Sequence, residues 1–399
     1  MELNDIRRLS MPDAQAFIRQ HRDDDPHQLV LSWSGRTVLP LAAVAEQVRC
    51  RRKADRKLPS LADTGFLFEE TALSQSTGEA AAHFKRTLMS GNHLIDCTGG
   101  LGVDTLFLRK NFHEVLYCER AAFLRELFIH NRQLLGAENV TVSDTDCVAS
   151  LRVHTDAFFD WAYIDPSRRD GTRRFVGLTS CEPDIGELED LLVSKARRVC
   201  VKASPALEIS EAQKALQTLY AAAAVSVDGE CKELLLFLRK EGRQTTVDRR
   251  GYVLGSKGEV CYSLKSHADD EPRKTDSVGR YFYEPDPALI KADLLTGVAR
   301  EFNCSFIHPH SAYMTSDTYH VNFPGRGFQV VRLLEWNRKT FKRYLREQSL
   351  VKAHVARRWF PLRVEQIRSR FKLLEGGNDY FFFTADRENK HIVVHCRKR

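Results

Sequence analysis

A glycine-rich turn between a strand and a helix is the sequence feature that most constrains this fold. Residues 93–104 read His-Leu-Ile-Asp-Cys-Thr-Gly-Gly-Leu-Gly-Val-Asp, so an apolar strand delivers Asp96 into a turn that contains Gly99, Gly100 and Gly102. Such a turn lets a ligand approach bare backbone, and the N-terminus of the helix that follows adds partial positive charge. We therefore expect an α/β fold with a ligand bound at this turn.

A second acid follows the next predicted strand. Residues 115–118 are apolar and lead into Glu119, a position from which a carboxylate accepts both hydroxyls of a ribose. Asp96 precedes the glycines, where it would repel a pyrophosphate but attract the ammonium of an amino acid. The glycine pattern also reads Gly100-x-Gly102-x-x-Thr105 and does not end in a third glycine. Both features argue against a nicotinamide enzyme and favour S-adenosylmethionine, which joins an amino acid to an adenosine.

Adenine recognition is expected from a third acid, after the strand predicted at residues 139–142. Either Asp146 or Asp144 is placed to receive the adenine amino group, and the pattern favours Asp146, with the next backbone amide offered to the ring. The cofactor-binding residues predicted from the sequence are Asp96, Thr98, Gly99, Gly100, Gly102, Glu119, Arg120, Asp146 and Cys147.

The segment Asp165-Pro166-Ser167-Arg168-Arg169 carries the predicted acceptor site. It follows a buried strand at the carboxyl edge of the sheet, where α/β folds bind substrates. Methyltransferases of amino groups carry Asp-Pro-Pro-aromatic there, whereas this chain has Ser167 and Arg168, so the base-stacking ring is missing at that position. We predict Asp165, Pro166 and Ser167 as catalytic, with Asp165 orienting the acceptor or taking its proton. Arg168 and Arg169 either clamp a substrate phosphate or carboxylate or pair with acids of their own loop.

A further predicted strand ends in Lys202-Ala203-Ser204-Pro205 at the same edge. RNA methyltransferases that alkylate C5 of uracil need a cysteine nucleophile where this chain has Ala203, so covalent chemistry is disfavoured. Lys202 and Ser204 are predicted to bind substrate. Lys202 either holds a phosphate or pairs with Glu208 or Asp165.

Charge is distributed unevenly along the 399 residues. Residues 331–399 contain 18 Lys and Arg against 7 Asp and Glu, a net charge of +11, whereas the preceding residues carry −4. A basic C-terminal module indicates a polyanionic partner such as RNA, or else a solvated basic face.

Other features exclude several classes of protein. The ten cysteines are scattered, with no Cys-x-x-Cys pair, which is typical of reduced thiols in a cytoplasmic protein. His308-Pro309-His310 has no further ligands at metal spacing, so no metal is expected. No apolar run of about 18 residues predicts a membrane span, and the N-terminus lacks the order of a signal peptide. The sequence leaves the oligomeric state open.

Alternating strand and helix patterns from His93 to about Arg239 predict a parallel sheet covered on both faces. Helices are expected over residues 7–20 and 41–56 near the N-terminus, and late in the sheet over 210–222, before a strand at 224–227. The predicted domains are a helical region at 1–80, the sheet domain at 81–245, a connector or sheet edge at 246–278, and an α+β module at 279–399.

Residues 93–239 resemble a class I S-adenosylmethionine-dependent methyltransferase. The whole chain resembles the bacterial methyltransferase family with a THUMP-like C-terminal domain. The motifs that carry this resemblance are Lys57-Leu58-Pro59, Gln75-Ser76 with Glu79, Asp165-Pro166-Ser167-Arg168-Arg169, Lys202-Ala203-Ser204-Pro205, Glu230-Cys231-Lys232-Glu233-Leu234, the segment 283–291 and Glu375-Gly376-Gly377-Asn378-Asp379-Tyr380.

This resemblance implies a Rossmann-like, seven-stranded methyltransferase sheet, followed by a ferredoxin-like piece at about 279–325 and a THUMP-like piece at about 326–399. It also implies an RNA substrate, either tRNA or rRNA, because THUMP domains bind structured RNA. The expected activity is non-covalent, in-line methyl transfer from S-adenosylmethionine to RNA, at a nitrogen. Two alternatives are a protein or small-molecule methyltransferase and a non-catalytic RNA-binding protein that keeps the fold as a scaffold.

Overall fold

A computed structural model describes residues 1–168, 178, 181–241, 246–266 and 277–398, with Arg168 described by its backbone only. The chain divides into two compact units. The first unit comprises Met1–Val227, Lys232–Val247 and Leu254–Val260, and the second comprises Asp228–Cys231, Asp248–Val253 and Cys261–Arg399. Each unit is described by itself below.

Helices fill the N-terminal part of the first unit. They are α1 (Leu3–Leu9), α2 (Pro12–Gln20), α3 (Pro26–Trp33), α4 (Leu41–Lys57), α5 (Pro59–Ala62), α6 (Glu70–Gln75) and α7 (Glu79–Leu88). The single helix predicted over residues 7–20 is wrong, because the chain forms two helices there. Pro12 lies in the first turn of α2, where its missing N–H and fixed φ are tolerated, whereas inside a helix they would break it.

The strands of the first unit lie in the order β8-β9-β7-β4-β1-β2-β3 within a sheet of nine strands, two more than the seven predicted. These strands are β1 (Gly91–Asp96), β2 (Phe112–Tyr117), β3 (Val140–Val142), β4 (Phe159–Ile164), β7 (Ala196–Ala203), β8 (Leu219–Val227) and β9 (Glu230–Leu238), with a separate hairpin of β5 (Ser167–Arg168) and β6 (Cys181–Glu182). Strands β3, β2, β1, β4 and β7 pair in parallel, and β9 pairs antiparallel with β7. This order, with one reversed strand near its end, is the Rossmann-like methyltransferase sheet expected from the resemblance.

Helices lie in the connections between these strands, except for the two-residue turn from β8 to β9. These connections contain α8 (Val103–Leu108) with a short 3-10 turn at Arg109–Asn111, α9 (Ala122–Leu134), α10 (Cys147–Val153), α11 (Ile185–Lys195) and α12 (Ile209–Ala215). Since the parallel strands run the same way, their carboxyl ends lie along one edge of the sheet.

The helix predicted over 210–222 is wrong in its second half. Helix α12 ends at Ala215, and β8 begins at Leu219, so the predicted strand at 224–227 starts earlier. The alanines from Ala221 to Ala224 lie inside β8 and are buried. Alanine has the highest intrinsic helix propensity, but burial in the sheet overrides it.

The second unit is an α+β structure. Besides β10 (Asp248–Leu254) and β11 (Val260–Lys265), it contains β12 (Tyr281–Pro285), β13 (Ser305–Phe306), β14 (Met314–Ser316), β15 (Gly325–Glu335), β16 (His354–Arg357), β17 (Asp379–Ala385) and β18 (His391–Lys398). Its helices are α13 (Pro287–Lys291), α14 (Leu295–Glu301), α15 (Arg338–Glu347) and α16 (Val364–Phe371). Strands β12 to β18 form one sheet in the order β13-β14-β12-β15-β18-β17-β16.

Alternate residues of β17 belong to two different cores of this second unit. Phe381 and Phe383 pack with Phe341 and Leu345 of α15, whereas Phe382 packs with a separate cluster that includes Tyr313. Successive side chains of a strand point to opposite faces of its sheet, so the sheet is covered on both sides at β17. Among the residues that the structure describes, no helix is long and apolar enough to cross a membrane.

Candidate cofactor and acceptor site

The turn after β1, which we call the cofactor turn (Asp96–Gly102), is shaped by two stacked aromatic rings. The rings of Tyr117 and Phe128 lie 3.9 Å apart with a 9° angle between their planes. A Cβ atom at Gly99 would lie 2.0 Å from Tyr117 Cε2, and one at Gly102, whose φ is +81°, would lie 2.1 Å from Phe128 Cδ2. The turn therefore needs these glycines because the rings press against its backbone.

The carboxyl group of Asp96 is buried and organises the same turn. One oxygen accepts a 3.1 Å hydrogen bond from the backbone N–H of Thr98, and the other accepts one from the hydroxyl of Thr105. This contact explains why the glycine pattern ends in threonine. Burial raises the pKa of Asp96 to about 7. The predicted contact of Asp96 with the cofactor's ammonium remains a prediction.

Glu119 joins the end of β2 to the cofactor turn. Its carboxylate accepts hydrogen bonds from the backbone N–H of Gly100 at 2.8 Å and of Ala121 at 2.7 Å. The φ of Gly100 is +55°, a left-handed conformation that glycine adopts without strain. Arg120, also predicted to bind the cofactor, is exposed and forms an ion pair with Glu182.

The third predicted acid begins a helix. Asp146 is exposed and accepts a 2.8 Å hydrogen bond from the N–H of Ala149, which caps α10. Cys147, the next residue, is buried, and a hydrogen bond between it and Cys97 raises the pKa of the Cys97 thiol. Asp144 is exposed as well. The geometry therefore leaves both acids available for adenine.

The acceptor motif is tied to the cofactor turn through Thr98. The backbone N–H of Asp165 donates a 2.6 Å hydrogen bond to Thr98 Oγ1. Lys202 Nζ donates to Asp165 Oδ2 at 2.5 Å and to Thr77 Oγ1 at 3.0 Å. The Asp165 side chain is 33% exposed and that of Lys202 only 13%. Of the roles considered for Lys202, the structure shows the pairing with Asp165.

Burial raises the pKa of Asp165, and the nearby ammonium of Lys202 offsets only part of that rise. A carboxylate with a raised pKa is a better proton acceptor than an ordinary aspartate. Asp165 is thus half-buried, held from two sides and still partly open at the carboxyl edge of the sheet.

The remaining predicted acceptor residues are only partly described. Ser167 lies in β5 and donates a 3.3 Å hydrogen bond to the carbonyl of Glu182. Ser204 Oγ accepts a 3.3 Å hydrogen bond from the N–H of Ala206. Arg169 and the side chain of Arg168 lie outside the described residues, so the predicted phosphate clamp stays a prediction.

A buried polar cluster behind Asp165 was missed by the sequence analysis. We call it the Lys85 cluster (Thr77, Lys85, Asp104, Tyr163 and Glu233). Lys85 Nζ lies 2.9 Å from both Asp104 Oδ1 and Glu233 Oε1, 3.1 Å from Thr77 Oγ1 and 3.2 Å from Tyr163 Oη. Asp104 Oδ2 also accepts hydrogen bonds from Thr77 at 2.6 Å and from Tyr163 at 2.9 Å.

The charges in this cluster depend on each other. Burial alone would lower the pKa of Lys85, but the carboxylates of Asp104 and Glu233 outweigh it and raise that pKa. Thr77 also accepts from Lys202, so the cluster connects to Asp165 through a chain of hydrogen bonds. One signal was present in the sequence, since Lys85 falls on the face of α7 that buries Ala81, Ala82 and Phe84.

Comparison with known proteins agrees with this architecture. Residues 325–398 match a THUMP domain-like family, and residues 281–324 match a ferredoxin-like domain family. A candidate methyltransferase from Porphyromonas gingivalis W83 has a crystal structure that is similar with a TM-score of 0.82 and 26% identity, over 96% of this chain and 97% of that one.

Curated relatives point the same way. An uncharacterized S-adenosylmethionine-dependent methyltransferase of Mycobacterium tuberculosis, present in strains CDC 1551 and H37Rv, is 24% identical over 339 residues, which cover 83% of this chain and 88% of the relative.

The residues of the cofactor turn fit S-adenosylmethionine. Gly100 leaves the turn open beside the N-terminus of α8, and acids lie at the ends of β1 and β2. A turn of this kind suits a ligand with an amino-acid end and a ribose. The strand order, the two C-terminal domain matches and the similar proteins together identify the chain as a class I S-adenosylmethionine-dependent methyltransferase with a THUMP-like C-terminal domain.

Proposed function

We propose that the protein methylates RNA, with tRNA or rRNA as the substrate class and a nitrogen as the acceptor. The observation that carries this proposal is the basic surface of α15, within the THUMP-like region. The helix buries Phe341 and Leu345 and exposes five basic side chains, which are Arg338, Lys339, Lys342, Arg343 and Arg346. Such a one-sided cationic helix is an electrostatic match for a phosphate backbone.

Asp165 is proposed to act on the acceptor. The bound cofactor supplies a methyl group activated by a sulfonium sulfur, so the protein mainly has to align the acceptor and exclude water. The carboxylate of Asp165 would accept a hydrogen bond from the acceptor N–H and then take the proton that methylation releases. Pro166 has a fixed φ and disfavours a helical backbone at Asp165 before it, and Ser167 would complete the polar rim with its hydroxyl.

Lys202 is proposed to position Asp165 and not to grip phosphate. Its ammonium is mostly buried and already bonds Asp165 and Thr77. Arg168, Arg169 and Ser204 remain the proposed contacts to RNA phosphate at this edge. The scattered cysteines remain consistent with a cytoplasmic enzyme.

The test is transfer of radiolabelled methyl from S-adenosylmethionine to total RNA from a strain that lacks this gene. We expect Asp165→Asn to lower transfer roughly a hundredfold while cofactor binding persists. Asp160→Asn is the matched control, because Asp160 lies on the same strand and accepts hydrogen bonds from the N–H groups of Asn92 and His93, at the opposite edge of the sheet.

Three outcomes would contradict the proposal. Label in protein or small molecules but not in RNA would favour the alternative acceptor classes. RNA binding without any transfer would favour a non-catalytic RNA-binding protein. RNA binding that does not weaken as salt rises would remove the electrostatic argument.

A further inference from the structure

Trp359 is a large aromatic residue on the surface of the second unit. It is 52% exposed. The rings of His308 and His310 each lie 5.1 Å from its ring, with angles of 31° and 40° between the planes. These three residues, which come from two distant segments, form an aromatic cluster with Trp359 at the surface, which we call the Trp359 platform (His308, His310 and Trp359).

Hydrogen bonds fix the orientation of the His308 ring in the platform. His308 is buried, and its Nδ1 accepts a 3.0 Å hydrogen bond from the backbone N–H of His310. Its Nε2 therefore carries the proton and donates to Asn389 Oδ1 at 2.9 Å. Because both ring nitrogens are engaged, the histidine ring holds one orientation and gives the tryptophan a rigid support.

The backbone of Trp359 is strained. Its φ is +55°, a left-handed conformation that a bulky side chain rarely adopts. The neighbouring residues hold it there, since the N–H of Arg358 donates to the carbonyl of Phe383 at 3.0 Å and Arg357 Nη1 donates to the carbonyl of Phe360 at 2.9 Å. Strain of this kind clusters at ligand-contacting sites, and here it presents an exposed ring.

Positive charge borders the platform. Arg357 and Arg358 directly precede Trp359, and the turn that carries Asn389 also contains Arg387 and Lys390. Part of this charge is neutralised, because Arg358 pairs with Glu284 and Lys390 pairs with Glu388. Residues 331–399 nevertheless keep a net charge of +11, which complements a polyanion.

We propose that the Trp359 platform stacks an unpaired base of an RNA chain whose phosphates face the bordering arginines. The inference rests on the proposed function, since it takes RNA as the partner. Base stacking on an exposed aromatic ring tolerates any base, because every base has a π-face. Bases inside a duplex are already stacked, so the platform would distinguish single-stranded from double-stranded RNA.

The test measures how the full-length protein binds a fluorescein-labelled single-stranded oligoadenylate and a labelled RNA duplex. Trp359→Gly removes the ring and also relieves the left-handed strain, so its melting temperature should equal or exceed that of the natural protein. We expect its affinity for the single strand to fall roughly five- to one-hundredfold, with duplex affinity unchanged. Trp359→Phe should retain most of the affinity. Leu374→Ala is the matched control, because Leu374 is 59% exposed in the same unit.

The outcomes separate this inference from the proposed function. If the natural protein binds RNA and Trp359→Gly binds the single strand equally well, the platform is overturned while RNA binding stands. Equal losses for single strand and duplex would also overturn the platform, since they would indicate a general loss of charge or folding. If the natural protein binds neither RNA at low salt, both the platform and the RNA substrate are wrong.

Discussion

The cofactor turn and the Lys85 cluster are both linked to Asp165 by hydrogen bonds, yet they are built in opposite ways. The cofactor turn is contiguous in sequence and relies on backbone groups and glycines. The Lys85 cluster consists of side chains from separate elements between Thr77 and Glu233. A site built from glycines and backbone groups is disrupted when a substitution adds atoms. A buried cluster of charges is destabilised when a substitution removes one of the charges. This difference predicts how each region responds to substitution.

Lys85→Met should have the largest effect on stability. Methionine fills a similar volume but leaves the carboxylates of Asp104 and Glu233 buried without their shared cation, and Glu233 Oε2 has no hydrogen-bond partner among the described residues. Removing one partner of a buried ion pair costs about 3–5 kcal/mol, which urea denaturation would measure.

Lys53→Met is the matched control for that experiment. Lys53 pairs with Glu70 at 2.6 Å, but both side chains are well exposed, so its loss should cost less than about 1 kcal/mol. Equal effects of the two substitutions would show that the Lys85 cluster is no more important than a surface ion pair.

Gly99→Ala should have the next largest effect on stability. It tests disruption by added atoms instead of by a lost charge. The added Cβ would lie 2.0 Å from the ring of Tyr117, and overpacking of this kind costs about 1–3 kcal/mol. Calorimetry should also show loss of cofactor affinity, because the turn must move to relieve the clash. Gly100→Ala meets no atom closer than 3.9 Å and should incur only the backbone strain. A larger effect at Gly100 than at Gly99 would contradict the role given to Tyr117.

The pH dependence of cofactor binding gives a smaller and finer test. The pKa of Asp96 is raised from 3.8 to about 7, so near neutral pH the cofactor-free protein holds a proton there. If this carboxylate receives the ammonium of the cofactor, binding must release that proton. Affinity should then fall roughly tenfold for each pH unit below 7, and Asp96→Asn should bind weakly with no such slope.

The raised pKa of Asp96 also predicts how the stability of the cofactor-free protein depends on pH. Because the folded pKa lies above the unfolded value, the stabilisation from Asp96 protonation is complete below pH 3.8 and is lost as the pH rises to about 7. Thermal melts of Asp96→Asn should therefore gain relative to the natural protein as the pH is raised through this interval. A parallel pH dependence of the two proteins would contradict a raised pKa.

The sequence was informative where contacts are local. Asp96, the glycines and Glu119 lie close together in the chain, and each strand that carries an acid ends where its hydrophobic pattern ends. Thr105 was visible in the pattern, but its hydroxyl contact with Asp96 follows only from the three-dimensional turn. The alanines of β8 were wrongly predicted as helical because helix propensity is a local property of the sequence. Their burial in the sheet, which decides their conformation, depends on distant residues.

The Lys85 cluster could not be predicted because its partners are brought together only by the completed sheet. Glu233 was noticed only as one residue of the family motif Glu230–Leu234, yet it lies inside β9 and is 3% exposed. The sequence allowed Lys202 either to form an ion pair or to contact a phosphate, and only the three-dimensional structure shows the ion pair with Asp165. A single sequence carries no record of which buried charges neutralise each other.

The position of β18 in the second unit governs when that unit can fold. This strand pairs antiparallel with both β15 and β17, so the sheet order places it between β15, which ends at Glu335, and β17, which directly precedes it in the chain. Strands β1 to β9 are all synthesised once Leu238 has been added, and the first unit can close its sheet while the second still lacks an inner strand. During synthesis, β15 therefore presents an open edge that nascent-chain chaperones would have to shield until β18 is made.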